Sequence, residues 1–434
     1  MVKKDNCLDK FLITEENNKL FKLQIKGNYI WPIIRFNLYS LILQKSSKTQ
    51  ENHPKANAVN TLITFFRNFI PSIARSTFWI KRKKKTVILN HKRKIKNTEG
   101  LFECKYTEFL MDDNTYVFEA PFNDKHFKPY ETKNVYYLDI ILNIARIYGI
   151  YGSKSQISKE DTDKLNWLKN IVESEFNINI EDFNAFVLKM LYKHKATSFF
   201  AKHLLKKVKP EKLIVAVAYS DANMPFVEQA KKMGVKVIEI QHGIMGVNHV
   251  AYNFLKKDEL TWFPDEIWVW SNYWKKSSRF PISEDRILVK GFPFLDRYKN
   301  NIRIKETDKK QFLIISQGPY SDELVGFASD LNRKLDQRKY QVIFKPHPSE
   351  LATGRKKFER LTNENIIVSE KSNIYELQAT AAYQIGVSST ALFEGLEFGL
   401  KTFILDIGRV NVWKGVEDIM IVNNEEDILN QLRD

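Results

Sequence analysis

The sequence is poor in cysteine and lacks the familiar glycine-rich nucleotide-binding loops. Its 434 residues include only two cysteines, Cys7 and Cys104, which are too far apart to form a C-x-x-C motif. So few cysteines agree with a reducing compartment and exclude a disulfide framework. Neither G-x-G-x-x-G nor G-x-x-x-x-G-K-[ST] occurs, which argues against a nicotinamide enzyme and against a P-loop ATPase.

Long apolar runs are also missing from the sequence. No stretch of about 18 uncharged apolar residues occurs, so the sequence does not predict a membrane-spanning helix. The residues that follow Met1 lack the apolar core and cleavage site of a secretory signal, so we expect a cytoplasmic protein. The segment Leu62 to Lys85 joins an aromatic stretch to five consecutive cations. This pattern is typical of a peripheral anchor on the anionic inner face of the plasma membrane, or else of a core-packed helix followed by a solvated loop.

The overall composition allows packed cores and favours anionic partners. Hydrophobic residues make up 43% of the chain and aromatic residues 13%. The formal net charge is +16, which suits a nucleotide donor, an acidic glycan, an anionic lipid or a nucleic acid. Charge alone does not choose among these polyanions.

From residue 86 onward, short apolar segments alternate with amphipathic ones, which is typical of β-α-β units in a parallel sheet. Residues 300–310 are polar and charged, as a linker between two such sets would be. The sequence therefore predicts an α/β protein with two Rossmann-like doubly wound domains that face a cleft. The predicted parts are an N-terminal helical and basic segment at 1–85, domains at 86–299 and 300–434, and a closing helix at 420–434.

The first candidate site follows the predicted strand 235–240 and reads Gln241-His242-Gly243. Ligands of doubly wound sheets bind beyond the carboxyl ends of the strands. There His242 can act as a general base near neutral pH, while Gly243 permits a tight turn. The alternative is a surface histidine in a turn. His249 lies close in the sequence, but no third ligand has a suggestive spacing, so we predict no metal site.

The second candidate site, Lys345-Pro346-His347-Pro348, follows the predicted strand 341–344. The two prolines fix the backbone, so the side chains of Lys345 and His347 would be held in set directions. Both could stabilise negative charge on a diphosphate leaving group. The alternative is a rigid turn whose side chains are only exposed.

The third candidate site follows the predicted strand 383–387 and includes Ser388, Ser389 and Thr390. A strand that runs into a helix N-terminus offers backbone N–H groups and a positive dipole end, which suit a phosphate. Glu394 lies just over one helical turn after Ser389, within reach of a ribose hydroxyl. The alternative is a simple N-cap, although capping and phosphate binding can coexist.

In their order and placement, these three motifs resemble those of bacterial GT-B glycosyltransferases that build capsule and lipopolysaccharide. They are similar to the His-Gly, His-Pro and Ser-Ser-(Glu/Asp) motifs of capsule sialyl- and Kdo-transferases and of teichoic-acid glycerophosphotransferases. The resemblance covers about residues 210–410. It implies an inverting reaction without a metal in the chemical step and without a cofactor, the nucleotide-sugar being a co-substrate.

The resemblance also implies a role for each matching residue. His242 would be the catalytic base of the N-terminal acceptor domain, with Gln241, Gly243 and His249 in support. In the C-terminal donor domain, His347 would act in catalysis and Glu394 would hold the ribose. The other residues of that domain would bind the donor phosphates: Lys345, Ser388, Ser389 and Thr390. The acceptor would be a polysaccharide or a lipid-linked glycan, and no nucleic acid is expected as a partner.

Two other functions fit the same residues. A CDP-alcohol-dependent transferase of glycerol or ribitol phosphate, as in teichoic-acid synthesis, would keep the same sites. A non-catalytic scaffold that binds polyanions or a membrane would use the basic surface alone. The acidic general-base motif of several bacterial sialyltransferases is not evident, which disfavours sialic acid as the donor sugar.

Overall fold

The computed structural model describes residues 4–46, 72–256 and 260–432, apart from short gaps at 98, 123–124, 131, 133, 302–307, 349, 352–354, 409–412 and 414. The chain divides into two compact units, Met1–Gly291 and Phe292–Asp434. Each unit has its own parallel sheet and its own hydrophobic core.

Eleven strands lie in the described part of the N-terminal unit. In chain order they are β1 (Gln24–Ile25), β2 (Asn28–Tyr29), β3 (Thr86–Leu89), β4 (Ile95–Lys96), β5 (Phe102–Glu103), β6 (Thr115–Glu119), β7 (Val135–Tyr137), β8 (Lys212–Val215), β9 (Lys236–Ile240), β10 (Glu266–Val269) and β11 (Ile287–Val289). Seven of them form one parallel sheet in the order β11-β10-β9-β8-β3-β6-β7. The strands β1 and β2, and likewise β4 and β5, pair as short antiparallel hairpins.

The N-terminal unit begins with a pair of α-helices, and its other α-helices lie between the strands of the sheet in chain order. In chain order they are α1 (Lys4–Asn17), α2 (Trp31–Ser46), α3 (Asp139–Gly152), α4 (Lys159–Phe176), α5 (Phe183–Val208), α6 (Met224–Lys232) and α7 (Asn272–Lys276). Helix α5 ends where Lys209 adopts a left-handed conformation and donates its N–H to Leu205 O, just before Pro210. A left-handed cap followed by proline is a common way to stop a helix.

The described part of the predicted N-terminal segment belongs to this unit. Helices α1 and α2 bury Phe11, Trp31 and Ile34 in one hydrophobic cluster with residues of α4 and α5. Pro32 lies in the first turn of α2, where its missing N–H has no helical partner to lose. Of the segment Leu62 to Lys85, residues 62–71 lie outside the described residues, so its role at a membrane surface stays a prediction.

The order of the strands locates the switch point of the N-terminal sheet. The chain proceeds outward from β3 through β6 to β7, then returns to place β8 on the other side of β3. At such a point the connections leave the sheet in opposite directions, and a crevice opens beyond the carboxyl ends of the two central strands. In this unit those strands are β3 and β8, with β9 next to β8.

The C-terminal unit repeats this architecture with six parallel strands. The strands are β12 (Lys310–Ile315), β13 (Tyr340–Lys345), β14 (Ile367–Val368), β15 (Tyr383–Gly386), β16 (Lys401–Leu405) and β17 (Ile419–Val422). The helices are α8 (Pro293–Asn301), α9 (Ser321–Lys334), α10 (Arg355–Asn363), α11 (Ile374–Thr380), α12 (Thr390–Leu396) and α13 (Glu425–Asn430). The strand order β14-β13-β12-β15-β16-β17 puts the switch point between β12 and β15.

The prediction of two Rossmann-like α/β domains is confirmed by these two sheets. Three details differ from the sequence-based expectation. Strand β6 was not predicted, and the predicted closing helix at 420–434 is strand β17 followed by the shorter α13. The predicted division at 299–300 falls inside α8, whereas the compact units divide between Gly291 and Phe292.

Candidate active site

Three histidines and a tyrosine meet at the carboxyl edge of the N-terminal sheet. His91 follows β3, Tyr219 follows β8, and His242 follows β9, while His249 lies in the loop beyond His242. The rings of His91 and His242 are 5.7 Å apart between centroids. The Tyr219 hydroxyl lies 3.5 Å from Nε2 of His242 and 3.3 Å from Nε2 of His249. We call these four residues the histidine cluster.

The imidazoles of the histidine cluster are held in the neutral form. Burial, reinforced by the neighbouring His91 and His249, lowers the pKa of His242 from 6.5 to about 3. Burial also lowers the pKa of His91 to about 4, helped by the nearby cations Arg93 and Lys94, and burial lowers the pKa of His249 to about 4. These imidazoles are therefore uncharged at neutral pH, and pKa values this low make them weak bases, so proton transfer to His242 requires that a bound ligand raise its pKa.

Two nitrogens of the histidine cluster are buried and have no hydrogen-bond partner at normal geometry among the described residues. They are Nδ1 of His242 and Nδ1 of His249. Buried polar atoms are usually satisfied, and exceptions concentrate where a ligand, a water molecule or a proton transfer completes the site.

Behind the cluster lies a buried acid, Glu239, on β9. Burial raises the pKa of Glu239 to about 8, so its carboxyl group is largely protonated at neutral pH. It accepts the backbone N–H of Ala218 at 3.0 Å and the hydroxyl of Tyr252 at 2.9 Å. The Tyr252 ring in turn packs against Tyr219 and His249, with centroids 5.6 and 4.7 Å away. Glu239 therefore fixes two of the three loops that carry the cluster, those after β8 and β9.

The supporting residues Gln241 and Gly243 hold the loop after β9 in place. The fully buried Gln241 side chain accepts the backbone N–H of Trp270 and donates to the carbonyl of Gly243, both at 2.9 Å. The bond from Trp270 ties the end of β9 to the end of β10, and the bond to Gly243 fixes the loop after β9. Their observed contacts are structural, and their supporting role in catalysis stays a prediction.

The N-terminal helices clamp the loop that carries His249. Arg35 on α2 forms a buried ion pair with Glu15 on α1, with Nε 2.5 Å from Oε2. The same guanidinium donates to the carbonyl oxygens of Val250 at 2.5 Å and Asn253 at 2.8 Å. The carbonyl of Val250 lies directly after His249, so Arg35 fixes the backbone on which one member of the cluster depends.

At the carboxyl edge of the C-terminal sheet, the predicted phosphate residues lie at its switch point. The backbone N–H of Ser388, after β15, donates to Oε1 of Gln317, after β12, at 2.8 Å. Ser389 is the N-cap of α12, and its hydroxyl accepts the N–H of Ala391 at 3.3 Å. Thr390 is the first residue of that helix. The side chains of Ser388, Ser389 and Thr390 are all partly exposed.

Helix α12 packs closely on β15 at two glycines, Gly386 on the strand and Gly395 on the helix. A Cβ at Gly395 would lie 2.0 Å from Oε1 of the buried Gln384, and a Cβ at Gly386 would lie 2.8 Å from Leu392. Gln384 also donates to the carbonyl of Leu392 at 2.7 Å. Larger residues at these two glycines would push the helix, and with it the serines, off the strand end.

The side chains of Lys345 and His347 have different surroundings. The Lys345 ammonium donates to the carbonyls of Ser369 at 3.0 Å and Glu370 at 2.9 Å, and burial lowers the pKa of Lys345. The side chain of His347 is exposed, and its backbone N–H donates to Glu350 at 2.6 Å. His347 therefore presents its imidazole at the sheet edge, while Lys345 joins β13 to the loop after β14.

Glu394 faces the interior of the C-terminal unit. It is 3% exposed, and its Oε2 accepts the hydroxyl of Tyr375 at 2.8 Å. Tyr375 packs against Phe294 and Tyr298 of α8. The ribose-binding role of Glu394 stays a prediction, and the observed carboxylate joins α12 to α11.

Within the described residues, no group of three or more His, Cys, Asp or Glu side chains is arranged to hold a metal ion. None of the described helices combines the length and the hydropathy that crossing a membrane requires.

Sequence reasoning missed His91, Tyr219 and Glu239 as members or supports of the site. His91 directly follows a strand that was predicted, so the strand-end rule alone could have selected it. Tyr219 lies four residues beyond β8, and its place beside His242 depends on the order of the strands. Glu239 is the one acidic residue in strand β9, where it lies between Ile238 and Ile240, which is a usable sign of a buried acid.

Comparison with known proteins adds similarities of limited extent. No protein-family model matches the chain. An uncharacterized protein of Methanocaldococcus jannaschii is 25% identical over 317 residues, which cover 68% of this chain and 55% of that protein. The chain thus spans about half the length of the curated relative it matches.

Among solved structures, the chain is similar to UDP-GlcNAc 2-epimerase of Methanocaldococcus jannaschii, with 13% identity, a TM-score of 0.47 and coverage of 82% of this chain and 92% of that chain. A putative UDP-N-acetylglucosamine 2-epimerase of Listeria monocytogenes gives 10% identity, a TM-score of 0.47 and coverage of 81% and 87%. The wall teichoic acid polymerase TagF gives 13% identity, a TM-score of 0.41 and coverage of 87% and 88%.

Proposed function

We propose that the protein is an inverting, metal-independent glycosyltransferase that moves a sugar from a nucleotide-sugar to a growing cell-surface polysaccharide or lipid-linked glycan. The observation that carries the proposal is the histidine cluster at the switch point of the N-terminal sheet, with His242 neutral at physiological pH. The resemblance of the three strand-end motifs to capsule and lipopolysaccharide transferases supports the same reaction class. We place the activity in the cytoplasm, where nucleotide-linked donors are made.

In the proposed reaction, His242 accepts the proton of the acceptor hydroxyl as that oxygen attacks the anomeric carbon of the donor sugar. The new C–O bond forms while the bond from the anomeric carbon to the phosphate oxygen breaks. The electron pair of that bond leaves with the nucleotide, and the anomeric configuration inverts. A positioned base of this kind contributes a factor of about 10² to 10⁴ to the rate.

The donor is proposed to bind the C-terminal unit at its own switch point. Ser388 and Ser389 would contact the phosphates there, with Gln317 holding the backbone of Ser388. The exposed imidazole of His347 would stabilise charge on the leaving phosphate. Lys345 can join it only by giving up its bonds to the carbonyls of Ser369 and Glu370.

A donor panel tests the proposal. The purified protein is heated with CMP-, CDP-, UDP- and GDP-linked sugars and with CDP-glycerol, and a donor that raises its melting temperature is then assayed for turnover with glycan acceptors. Stabilisation by none of them would favour the scaffold and contradict the proposal. Turnover of CDP-glycerol alone would show a phosphoalcohol transferase instead.

With the active donor, His242→Ala should lower kcat by about 10² to 10⁴ and leave the KM for the donor nearly unchanged. His347→Ala should lower kcat as well. His203→Ala is the matched control, because His203 is an exposed histidine on α5. Full activity of both His242→Ala and His347→Ala would make the catalytic assignment wrong.

A further inference from the structure

Helix α3 carries an apolar face that is exposed to solvent. Ile144, Ile147, Tyr148 and Tyr151 are 41, 54, 48 and 75% exposed. Their spacing of i, i+3, i+4 and i+7 puts all four on one side of the helix. Large exposed apolar surfaces on a soluble domain mark an interaction site more often than isolated exposed residues do.

Helix α3 docks on the protein mainly through a side that lies about 100° around the helix from this face, although the Tyr148 ring also contacts the Tyr192 ring on α5, with centroids 5.5 Å apart. Ile141 and Ala145 are buried on the docking side. Gly149 and Gly152 approach α5 so closely that added Cβ atoms would lie 2.9 Å from Lys189 O and 2.1 Å from the Tyr192 ring. The exposed side chains of Ile144, Ile147 and Tyr151 are therefore additional to these packing contacts.

Two further exposed apolar side chains lie outside α3, on segments of the same unit. Trp79 is 57% exposed and Phe199 on α5 is 58% exposed. Phe200 links them, with its ring centroid 5.4 Å from that of Phe199 and 5.9 Å from that of Phe78, the neighbour of Trp79. Six residues define what we call the apolar patch: Trp79, Ile144, Ile147, Tyr148, Tyr151 and Phe199.

The surroundings of the apolar patch are basic. Residues 183–208, which form α5, include six lysines and no aspartate or glutamate. Helix α3 has one acid, Asp139, which is buried beside His126. Five consecutive cations follow Ile80, and Lys207 donates to the carbonyl of Phe78 at 3.1 Å, which brings the two basic segments together.

We propose that the apolar patch and its lysines bind the surface of an anionic lipid bilayer. A bilayer offers apolar chains to Ile147 and its neighbours and anionic headgroups to the lysines, at roughly 1 kcal/mol per cation near the surface. Tyrosine and tryptophan also favour the boundary between chains and headgroups. A second copy of the chain fits this surface poorly, since a two-fold interface would bring two copies of this lysine-rich region together.

A vesicle-binding experiment with the full-length protein tests this proposal independently of the proposed catalysis. The protein is sedimented with vesicles of phosphatidylglycerol and phosphatidylcholine in equal parts, and with vesicles of phosphatidylcholine alone. We expect binding to the first kind, weaker binding at higher salt, and a fall of about tenfold or more for Ile147→Glu. The matched control is Ile13→Glu on α1, because Ile13 is 50% exposed and should leave binding unchanged.

Thermal unfolding of both variants completes the test. An unchanged melting temperature for Ile147→Glu supports a surface that is free for the bilayer, whereas a large drop would show that the protein itself covers the patch. The proposal is overturned if the wild-type protein ignores phosphatidylglycerol vesicles or if Ile13→Glu weakens binding as much as Ile147→Glu. A dimer in sedimentation equilibrium that Ile147→Glu dissociates, without vesicle binding, would overturn it in favour of self-association.

Discussion

At the switch point of the N-terminal sheet the strands end in three neutral imidazoles and a phenol, whereas at that of the C-terminal sheet they end in an amide, serine hydroxyls and backbone N–H groups. Both sheets are parallel and doubly wound, so the topology is alike and the chemistry differs. In the N-terminal unit, burial keeps the His242 imidazole uncharged at neutral pH. In the C-terminal unit, the side-chain oxygens of Gln317 and Ser389 accept the backbone N–H groups of Ser388 and Ala391. These bonds hold the backbone of the sheet edge in place.

The two edges also differ in what holds them. The N-terminal edge depends on a buried ion pair, because Arg35 and Glu15 secure the loop after His249. At its switch point the C-terminal edge is held by the bond from Ser388 to Gln317 and by close glycine packing of α12 on β15. An architecture shared by two domains therefore does not determine how either one stabilises its site, and each edge should respond to different perturbations.

Breaking the Arg35–Glu15 pair should have the largest effect and should act on the N-terminal unit alone. Arg35→Met leaves the Glu15 carboxylate buried without its cation, which typically costs about 3–5 kcal/mol of stability. The double variant Glu15→Gln/Arg35→Met should recover part of this loss, because glutamine still accepts the indole N–H of Trp31. Denaturant unfolding followed by near-UV circular dichroism measures the change.

The control for this experiment is Arg279→Met. Arg279 pairs with Asp9 at 2.7 Å, but both side chains are about half exposed, so the loss should be at most about 1 kcal/mol. Equal losses for Arg279→Met and Arg35→Met would mean that burial of the pair is not what secures the N-terminal edge.

Lowering the pH should change the stability of the N-terminal unit through its buried titratable groups. The pKa of His242 is lowered from 6.5 to about 3 in the folded protein, so the unfolded chain binds more protons between these values. Its contribution to stability is complete above pH 6.5 and is lost as the pH falls, by up to about 1.4 kcal/mol per pH unit. Glu239, with its pKa raised to about 8, acts in the opposite sense, since its contribution falls as the pH rises from 4.5 to 8.

A difference measurement isolates the histidine from such opposing groups. The unfolding free energy of His242→Gln should fall less steeply between pH 6.5 and 5 than that of the wild type, while the exposed His203→Gln should follow the wild type. If the slopes of His242→Gln and wild type coincide, His242 is not buried in its neutral form.

Much of this fold could be predicted from the sequence because buried parallel strands are short apolar runs separated by helices. Strand β9 and the strand ending at Val387 were located in this way. Strand β6 was missed because the described residues between β3 and β6 contain no α-helix. The strand instead follows directly after a polar turn at Asp112–Asn114. Strand β17 was read as helix because Ile419–Val422 leads directly into the amphipathic residues of α13.

The candidate site was only partly predictable, for a reason that lies in the topology. A strand-end motif such as Gln241-His242-Gly243 is local and can be read from one segment. The meeting of His91 with His242 requires that β3, β8 and β9 be neighbours, which no single segment reveals. In the same way, the buried bond of Glu394 to Tyr375 depends on how α11 and α12 pack.

Removing the Tyr219 hydroxyl should have a smaller effect that sharpens the description of the histidine cluster. The hydroxyl lies within 3.5 Å of Nε2 of His242 and of His249, so Tyr219→Phe removes a polar partner from both rings. A lost hydrogen bond of this kind is worth about 1 kcal/mol, which predicts a fall in kcat of roughly five- to tenfold. Tyr29→Phe, at an exposed tyrosine, is the control, and equal kcat values for all three proteins would remove Tyr219 from the site.

The smallest expected effect concerns Ser389, where capping and ligand binding overlap. Ser389→Ala removes the N-cap of α12 and should cost about 1 kcal/mol of stability, while Ser389→Asn keeps a capping oxygen and should cost little. If the hydroxyl also binds the donor phosphate, the KM for the donor should rise several-fold in both variants, although only one of them loses stability. If the KM instead returns to the wild-type value in Ser389→Asn, the serine acts by holding the helix, and any phosphate contact at this edge comes from the backbone N–H groups that the cap keeps in position.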